Sequence, residues 1–271
     1  MQVTDLGTIA GEITVFGGIY SNVQALEALL GTARGTLICT GDLVAYCGAP
    51  AEVVARMRRA PVHVIAGNCE KQLAAGALDC GCGFEAGTVC DTLSARWYAH
   101  ANAQVGESAR KWMAGLPDML RFEHGGRTYA VLHGGASDVA RFVWSVSAAK
   151  VFAEELNLLK EVMGHVDVVL AGHSGIAFDR RINGVRWVNA GAIGMPPHDG
   201  EQTTEFLRIS PAGDLRFERL AYDVTGAVQD MTRAGLTQGY DRALQTGIWP
   251  SEDVLPLQLR RSSQSVSSAS G

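Results

Sequence analysis

Apolar positions in the first quarter of the chain switch between two periods. The stretches "EITVF" (12–16), "GTLICT" (35–40) and "PVHVIAG" (61–67) are short, apolar and partly β-branched, which predicts buried strands. Between them "NVQALEALLG" (22–31) and "APAEVVARMRR" (49–59) repeat their apolar residues at helical spacing. The order strand, helix, strand, helix, strand implies parallel strands joined by crossover helices. Residues 70–116 read as helical and rich in Gly and Cys, with helices in "DTLSARWYAHA" and "ESARKWMAGL", an insertion lying over the sheet edge.

Strands resume in "DMLRFEHGGRTYAVLHG", a hairpin around Gly125 and Gly126, followed by a helix capped at Ser147 that runs to about residue 163 and a buried strand "VDVVLAG". Two further hairpins turn through Asn183-Gly184 and through residues 211–214. The second half is therefore hairpin-rich and mixed, with no internal repeat of fixed period. The final "RRSSQSVSSASG" is Ser-rich and predicts a disordered tail.

Composition narrows the classes of partner. A hydrophobic fraction of 47% in 271 residues supports a real core, in one large α/β domain or two small ones. The net charge of −5, without a Lys/Arg run, argues against nucleic acid and anionic membranes as partners. The first residues lack a basic segment leading into an apolar one, and no apolar run is long enough to span a bilayer, so a cytoplasmic protein is expected. In a reducing compartment the 6 cysteines are read as buried, metal-bound or reactive rather than as a disulfide framework.

The chemistry gathers at strand ends. Asp42 follows "LICT" and Gly41, Asn68 follows "HVIA" and Gly67, His133 ends "TYAVL", and His173 follows "VDVVLA" and Gly172. In open α/β sheets ligands bind at the carboxyl ends of strands, and glycine beside each residue allows the sharp backbone turn needed there. A carboxylate, an amide carbonyl and two imidazoles suit a divalent ion of the Zn, Fe or Mn kind. Taken singly, Asp42 and Asn68 also read as turn or N-cap residues, and each histidine as a hydrogen-bonded residue at a strand end.

With the segments "VFGGIYSNVQALEALL", "CTGDLVAYC", "AGNCE", "VLHGG", "AGHSG", "VNAGAIGMP" and "LAYD", the chain resembles the calcineurin-like metallophosphoesterase superfamily, in particular its small bacterial phosphoesterases, over residues 13–223. The resemblance implies a four-layer αββα sandwich with mixed sheets, two bound metals and an activated water that attacks a phosphoester. The family pattern has an Asp-x-His pair, Gly-Asp, Gly-Asn-His-Asp/Glu, a lone His-Gly and Gly-His-x-His. This chain has Gly18 and Tyr20 at the Asp-x-His pair and Gly175 at the last His. By the resemblance all three missing groups served one metal, whereas Asp42, Asn68, His133 and His173 are the whole protein ligand set of the other. A mononuclear site is expected.

Cys69 occupies the position of the family histidine that protonates the leaving group. A thiol replaces an imidazole poorly as general acid, but once deprotonated it is a soft ligand or nucleophile; the alternative is a small buried residue filling the space of the lost ring. Cys47, Cys80, Cys82 and Cys90 flank the same cleft by the resemblance, so five thiols could rebuild the vacated position as a second metal or iron–sulfur centre. Against that, Cys80, Cys82 and Cys90 also read as a surface loop or disulfide set, and Cys39 as core. Tyr20 reads as a hydroxyl ligand, a substrate contact or an aromatic plug. His198 and Asp199 are expected to reach the cleft, and His63, His100, His124 and His165 to be structural.

The sequence thus leads to one metallophosphoesterase-like domain over 1–261 with its Cys-rich helical insertion, followed by a tail at 262–271. The expected activity is a metal-dependent hydrolase, a phosphoesterase on a small-molecule substrate, with Cys69 and His173 as catalytic residues. The alternatives are a metal–thiolate centre handling a thiol-reactive or redox-active molecule, and a non-catalytic member of the fold. Oligomeric state is not fixed by any feature of the sequence.

Overall fold

The computed structural model describes residues 1–261; the Ser-rich tail expected to be disordered lies outside the described residues. The chain runs β1 (Val3–Thr8), β2 (Ile13–Phe16), α1 (Val23–Thr32), β3 (Thr36–Cys39), α2 (Pro50–Arg59), β4 (Val62–Val64) and α3 (Asn68–Ala75). Helices α4 (Val89–Gln104) and α5 (Glu107–Ala114) precede the hairpin β5 (Met119–His124) and β6 (Arg127–Val131). Then come α6 (Ala149–Met163), β7 (Val168–Ala171), β8 (Phe178–Ile182), β9 (Val185–Asn189), β10 (Thr204–Ile209), β11 (Leu215–Leu220), α7 (Val224–Arg233) and α8 (Tyr240–Thr246).

These strands form two mixed sheets. One has the order β11-β10-β2-β3-β4, with β2, β3 and β4 parallel and α1 and α2 as the crossovers. The other has the order β1-β5-β6-β7-β9-β8, with β6, β7 and β9 parallel. Period-two alternation explains how runs that read as continuously apolar serve two layers. In β2 the side chains of Ile13 and Val15 enter the space between the sheets, and Phe16 packs outward under the helices. In β7, Val168 and Leu170 face inward, while Val169 and Ala171 meet Phe152 and Leu159 of α6. The layers are helices, sheet, sheet and helix, the αββα sandwich expected from sequence.

Residues 70–116 supply most of α3, a loop, α4 and α5. Their buried side chains Leu73, Trp97, Tyr98, Ala101 and Met113 share one apolar cluster with Leu26, Leu29, Val53 and Met57 of the crossover helices. The Asn183-Gly184 turn has φ of 50° and 85°, the left-handed pair that a two-residue hairpin loop requires.

Three local features differ from the sequence reading. Ser147 does not cap α6: its hydroxyl accepts from the Trp144 backbone N–H, and the helix starts after Ala148 without a side-chain cap. Strand β1, in "VTDLGT", was not expected, because its alternation is weak and Gly7 interrupts it; it pairs parallel with β5 at the edge of the larger sheet. Helices α7 and α8 were likewise not anticipated, and they close the outer helical layer through Ala227, Met231, Ala243 and Leu244. Among the described residues no helix is long and apolar enough to cross a membrane.

Between the sheets Phe122 stacks on Tyr129 with centroids 4.8 Å apart and planes 7° from parallel, both rings fully buried. Phe122→Ala is expected to lower stability by about 3–5 kcal/mol through lost burial and the cavity left behind. Chemical denaturation followed by circular dichroism checks this, with the loss read at unchanged slope.

Candidate metal centre

Two residues from each sheet meet at one point. Asp42 and Asn68 lie beyond β3 and β4, and His133 and His173 lie beyond β6 and β7, on the facing sheet. The approach is close: a Cβ on Gly41, at φ 93°, would sit 2.6 Å from the Gly67 backbone nitrogen and 3.0 Å from His133 Nδ1. Only glycine fits there. Asp42 itself adopts a left-handed φ of 55°, a strained conformation for a residue other than glycine.

His133 is the hub of the arrangement. Its Nδ1 faces the Thr40 carbonyl at 2.6 Å, so Nδ1–H donates there and Nε2 is turned inward. Around Nε2 stand Asp42 Oδ2 at 3.2 Å, Asn68 Oδ1 at 3.1 Å and His173 Nδ1 at 3.0 Å. His173 turns Nδ1 into the group, and its other nitrogen, Nε2, is buried without a hydrogen-bond partner; the neutral tautomer with its proton on Nε2 leaves Nδ1 free. His173 Nδ1 then presents a lone pair. Four lone-pair atoms therefore converge on a buried point where at most one proton, on His133 Nε2, is available to share. Such an excess of acceptors is relieved by a cation, and Asp42, His133 and His173 are, among the described residues, the one group of three His, Cys, Asp or Glu donors within 4.8 Å of one another.

The electrostatics agree with that arrangement. Burial raises the Asp42 carboxyl, but His133 and then His173 outweigh it and leave the group below its ordinary value. Burial depresses His133, yet Asp42 overrides this and raises the imidazole above 6.5. His173 is driven down to about 3 by burial and by His133, so it stays neutral and able to ligate.

Neighbouring groups fix the ligands in place. Asp42 Oδ1 accepts from the Cys69 backbone N–H at 3.4 Å, at the positive end of α3. Asn68 Nδ2 donates to the Cys80 carbonyl at 2.9 Å, which turns Oδ1 toward His133. The Cys-rich loop thus orients Asn68 through a main-chain carbonyl, the role that outer hydrogen bonds play around metals. Glu70 clips the two loops of the smaller sheet together, its carboxylate accepting from the backbone N–H groups of Asp42, Leu43 and Gly67 at 2.8, 2.9 and 2.9 Å. Burial and then Asp42 push the Glu70 carboxyl up to about 7. Sequence reasoning missed this positioning role. The signal was a Glu three residues after an N-cap position, the spacing of a capping box.

A ring lies between the positions that depart from the family pattern. Tyr20, at φ 54°, packs against both glycines that replace family ligands: a Cβ on Gly18 would lie 2.6 Å from Tyr20 Cζ, and one on Gly175 would lie 3.2 Å from Tyr20 Oη. The three departures are one coupled change. Burial, with Asp42 next, holds the Tyr20 phenol well above its ordinary value, so it remains a neutral hydroxyl.

The cysteines separate into groups, and all six are free thiols, so the disulfide alternative is not formed. Cys69 and Cys82 line the same cavity as Tyr20, and the Cys82 thiol interacts with those of Cys69 and Cys80. Cys90 lines that cavity too, beside Ser251 and Val254, but Cys47 turns away to the Gly194 carbonyl at 3.8 Å, so the five thiols do not all converge; Cys39 is core, as expected. A hydrogen bond to Cys82 lowers the Cys69 thiol, but burial and the nearby Asp42 leave it well above its ordinary value, protonated at neutral pH.

His198 and Asp199 do not reach the cleft either. His198 holds the C-terminal segment, donating from Nε2 to Glu252 at 2.7 Å and accepting from the Trp249 backbone N–H at 2.8 Å. Asp199 pairs with Arg219 on the surface. His124 bonds two carbonyls, of Ile9 and Ser210, between strands and loops away from the site.

Above the four ligands lies a cavity walled by aromatic rings, among them Tyr46, Phe84, Phe142, Trp144, Tyr240 and Trp249. Phe142 covers the His173 ring with centroids 4.2 Å apart. Two facing sheets of an αββα sandwich thus present Asp, Asn and two His side chains to one point, a group that could hold a metal ion. Residues 12–211 match the calcineurin-like phosphoesterase superfamily domain, and the chain belongs to that superfamily.

Among solved structures it is similar to a metallophosphoesterase from Sphaerobacter thermophilus, at 20% identity and a TM-score of 0.70 over 88% of this chain and 100% of that one. It is also similar to a hypothetical protein from Pyrococcus horikoshii OT3, at 18% identity and a TM-score of 0.71 over 87% of this chain and 98% of the other. These likenesses speak for the fold. No curated protein sequence matches the chain.

Two outcomes follow from this geometry. Gly18→Ala is expected to cost about 2 kcal/mol or more, and the share due to the ring should vanish in a Tyr20→Ala background; a double-mutant cycle in urea measures the coupling. Glu70→Ala, which leaves three buried N–H groups without an acceptor, should cost roughly 3 kcal/mol or more, with Glu70→Gln milder because one acceptor oxygen remains. Thermal unfolding of the two variants side by side reads the difference.

Proposed function

We propose that the chain is a metal-dependent phosphoesterase acting on a small-molecule substrate at a mononuclear site held by Asp42, Asn68, His133 and His173. The observation that carries this reading is the crowding of His133 Nε2 by three further acceptor atoms with one proton between them. A divalent Zn, Fe or Mn ion would supply Lewis-acid polarisation of the ester and an activated water there. The chain's own groups do the rest. Asp42 and His173 line both the ligand group and the cavity and so hold the reacting group against the site. Tyr20 keeps its proton and offers a neutral O–H donor where the second ion of the family would stand. Cys69, as a protonated thiol, is a weak acid, and the reading assigns it packing against Cys82 and Asp42 rather than nucleophilic attack. The same reading takes residues 1–261 as one domain whose helical insertion supplies the cavity wall.

One observation favours a second reading. The thiol of Cys82 lies between those of Cys69 and Cys80, and Asn68 Nδ2 reaches the sulfurs of Cys82 and Cys69 at 3.3 and 3.6 Å. A soft metal or cluster could use this string of thiols in place of the lost ligands, turning the site to a thiol-reactive or redox-active molecule.

Elemental analysis of protein purified anaerobically without added metal separates the two. About one Zn, Fe or Mn per chain without acid-labile sulfide supports the hydrolase, and two metals or any sulfide supports the thiolate centre. Turnover of an aryl phosphodiester should survive Cys69→Ser and fall roughly a hundredfold or more in His173→Ala.

A pH dependence also follows. A proton on His133 Nε2 competes with the ion, and the folded-state value of that histidine is raised above 6.5. Metal affinity should therefore rise with pH through that raised value and level off above it. Calorimetry near pH 6 in buffers of different ionisation enthalpy is expected to show about one proton released per ion, and none well above the His133 value.

A further inference from the structure

The cavity that leads to the four ligands has no lysine or arginine in its wall. Its polar lining is Asp42, His173 and hydroxyl and thiol groups, among them those of Tyr20, Cys69 and Cys82. The nearest candidate cation in sequence, Arg141 beside Phe142, is committed elsewhere, to Glu154, Glu155 and the Ser137 hydroxyl. Rings make up the rest: Phe84 stacks toward Phe142, Phe142 lies parallel to Trp144, and Tyr46 packs against Tyr240. These rings come from four segments, the loop after β3 that carries Tyr46, the Cys-rich loop, the loop after β6 and the C-terminal stretch tied down by His198 and Glu252.

The charge balance of such a site is tight. One divalent ion against the Asp42 carboxylate and two neutral histidines leaves at most a single surplus positive charge, the buried Glu70 carboxyl behind Asp42 being taken up by three backbone N–H groups. A second negative charge on a ligand would be buried among rings without a partner, and burying an unpaired charge is costly. Tyr20 in place of the second ion removes the charge that would have met it.

Resting on the phosphoesterase reading, we propose that this site takes an apolar ester bearing an aryl or alkyl group and at most one negative charge, and rejects dianionic monoesters and polyphosphates. Specificity is then set by the aromatic wall as much as by the ligands: rings favour a planar or alkyl substituent, and the missing cation penalises each extra charge.

The test uses the full chain loaded with Mn²⁺ and two substrates that share a leaving group, 4-nitrophenyl phosphate and methyl 4-nitrophenyl phosphate, which differ by one methyl and one charge. Binding is read separately, from quenching of tryptophan fluorescence by phenylphosphonate and by its methyl monoester, at a pH where the former is a dianion. The methyl esters are expected to win by about tenfold or more in kcat/KM and in Kd. Phe84→Arg, at a partly exposed wall position, should narrow or invert that preference.

Preference for the dianions in both assays, or a preference that Phe84→Arg leaves unchanged, overturns the inference and leaves the hydrolase reading standing. Tighter binding of the methyl phosphonate without turnover of either phosphate overturns the hydrolase reading and keeps the charge selectivity. Neither binding nor turnover of any probe overturns both.

Discussion

Everything at this site depends on one contact, the approach of His133 Nε2 from one sheet to Asp42 and Asn68 from the other. Each sheet supplies two of the four ligands, so the group exists only where the sheets are held face to face. The apolar layer between them, with Ile13, Val15 and Ile38 against Phe122, Val131 and Leu170, is what brings the strand ends together. Packing energy is non-directional, and the loops convert it into ångström-scale placement: Glu70 ties the two loops of the smaller sheet, and the Thr40 carbonyl orients His133 across the gap. The buried acceptors that result cannot all be satisfied by protons, and the stability lent by the sheets is spent in part on holding them there.

The second constraint is the coupling of Gly18, Tyr20 and Gly175. A superfamily member that had merely lost function would leave an empty or loosely filled space at the vacated ion. Here one ring packs against both flanking positions, with no room for a Cβ at Gly18 and a tight 3.2 Å approach at Gly175, where the positive φ also favours glycine. Such contacts couple the three residues, so each is hard to change alone. It also keeps Tyr20 Oη near a ligand-bearing cavity rather than on the surface.

Much of this could be read from sequence, for identifiable reasons. Parallel strands show as unbroken apolar runs, and turns such as Asn183-Gly184 require residues that tolerate positive φ, so both are written in residue type. The residues at Asp42, Asn68, His133 and His173 stood out because each follows a strand at a glycine. What was not readable depends on partners distant in sequence. The carboxylate of Glu70 acts on a loop about thirty residues earlier, Cys47 turns toward Gly194, and His198 grips Glu252 rather than the cleft. Ser147 carries the right chemistry for a cap but spends its hydroxyl on Trp144. A local pattern cannot say which of two satisfactory hydrogen bonds a polar side chain will make.

The Cys-rich loop shows the same lesson from the other side. Its cysteines invite a metal–thiolate reading because thiolates are strong soft ligands, yet the shortest contact the loop makes to the four-residue group is a main-chain one, the Cys80 carbonyl accepting from Asn68 Nδ2 at 2.9 Å. That carbonyl acts whatever the side chain is. The thiols contribute something different: buried, protonated and weakly polar, they allow the loop to pass beside a cationic centre without adding a charge to the cavity. Rings and neutral thiols on the walls, and one carboxylate at the floor, leave a bound ion's charge largely unshielded toward whatever enters. If one ion is held there, as proposed, the site would favour the ligand that brings the least charge.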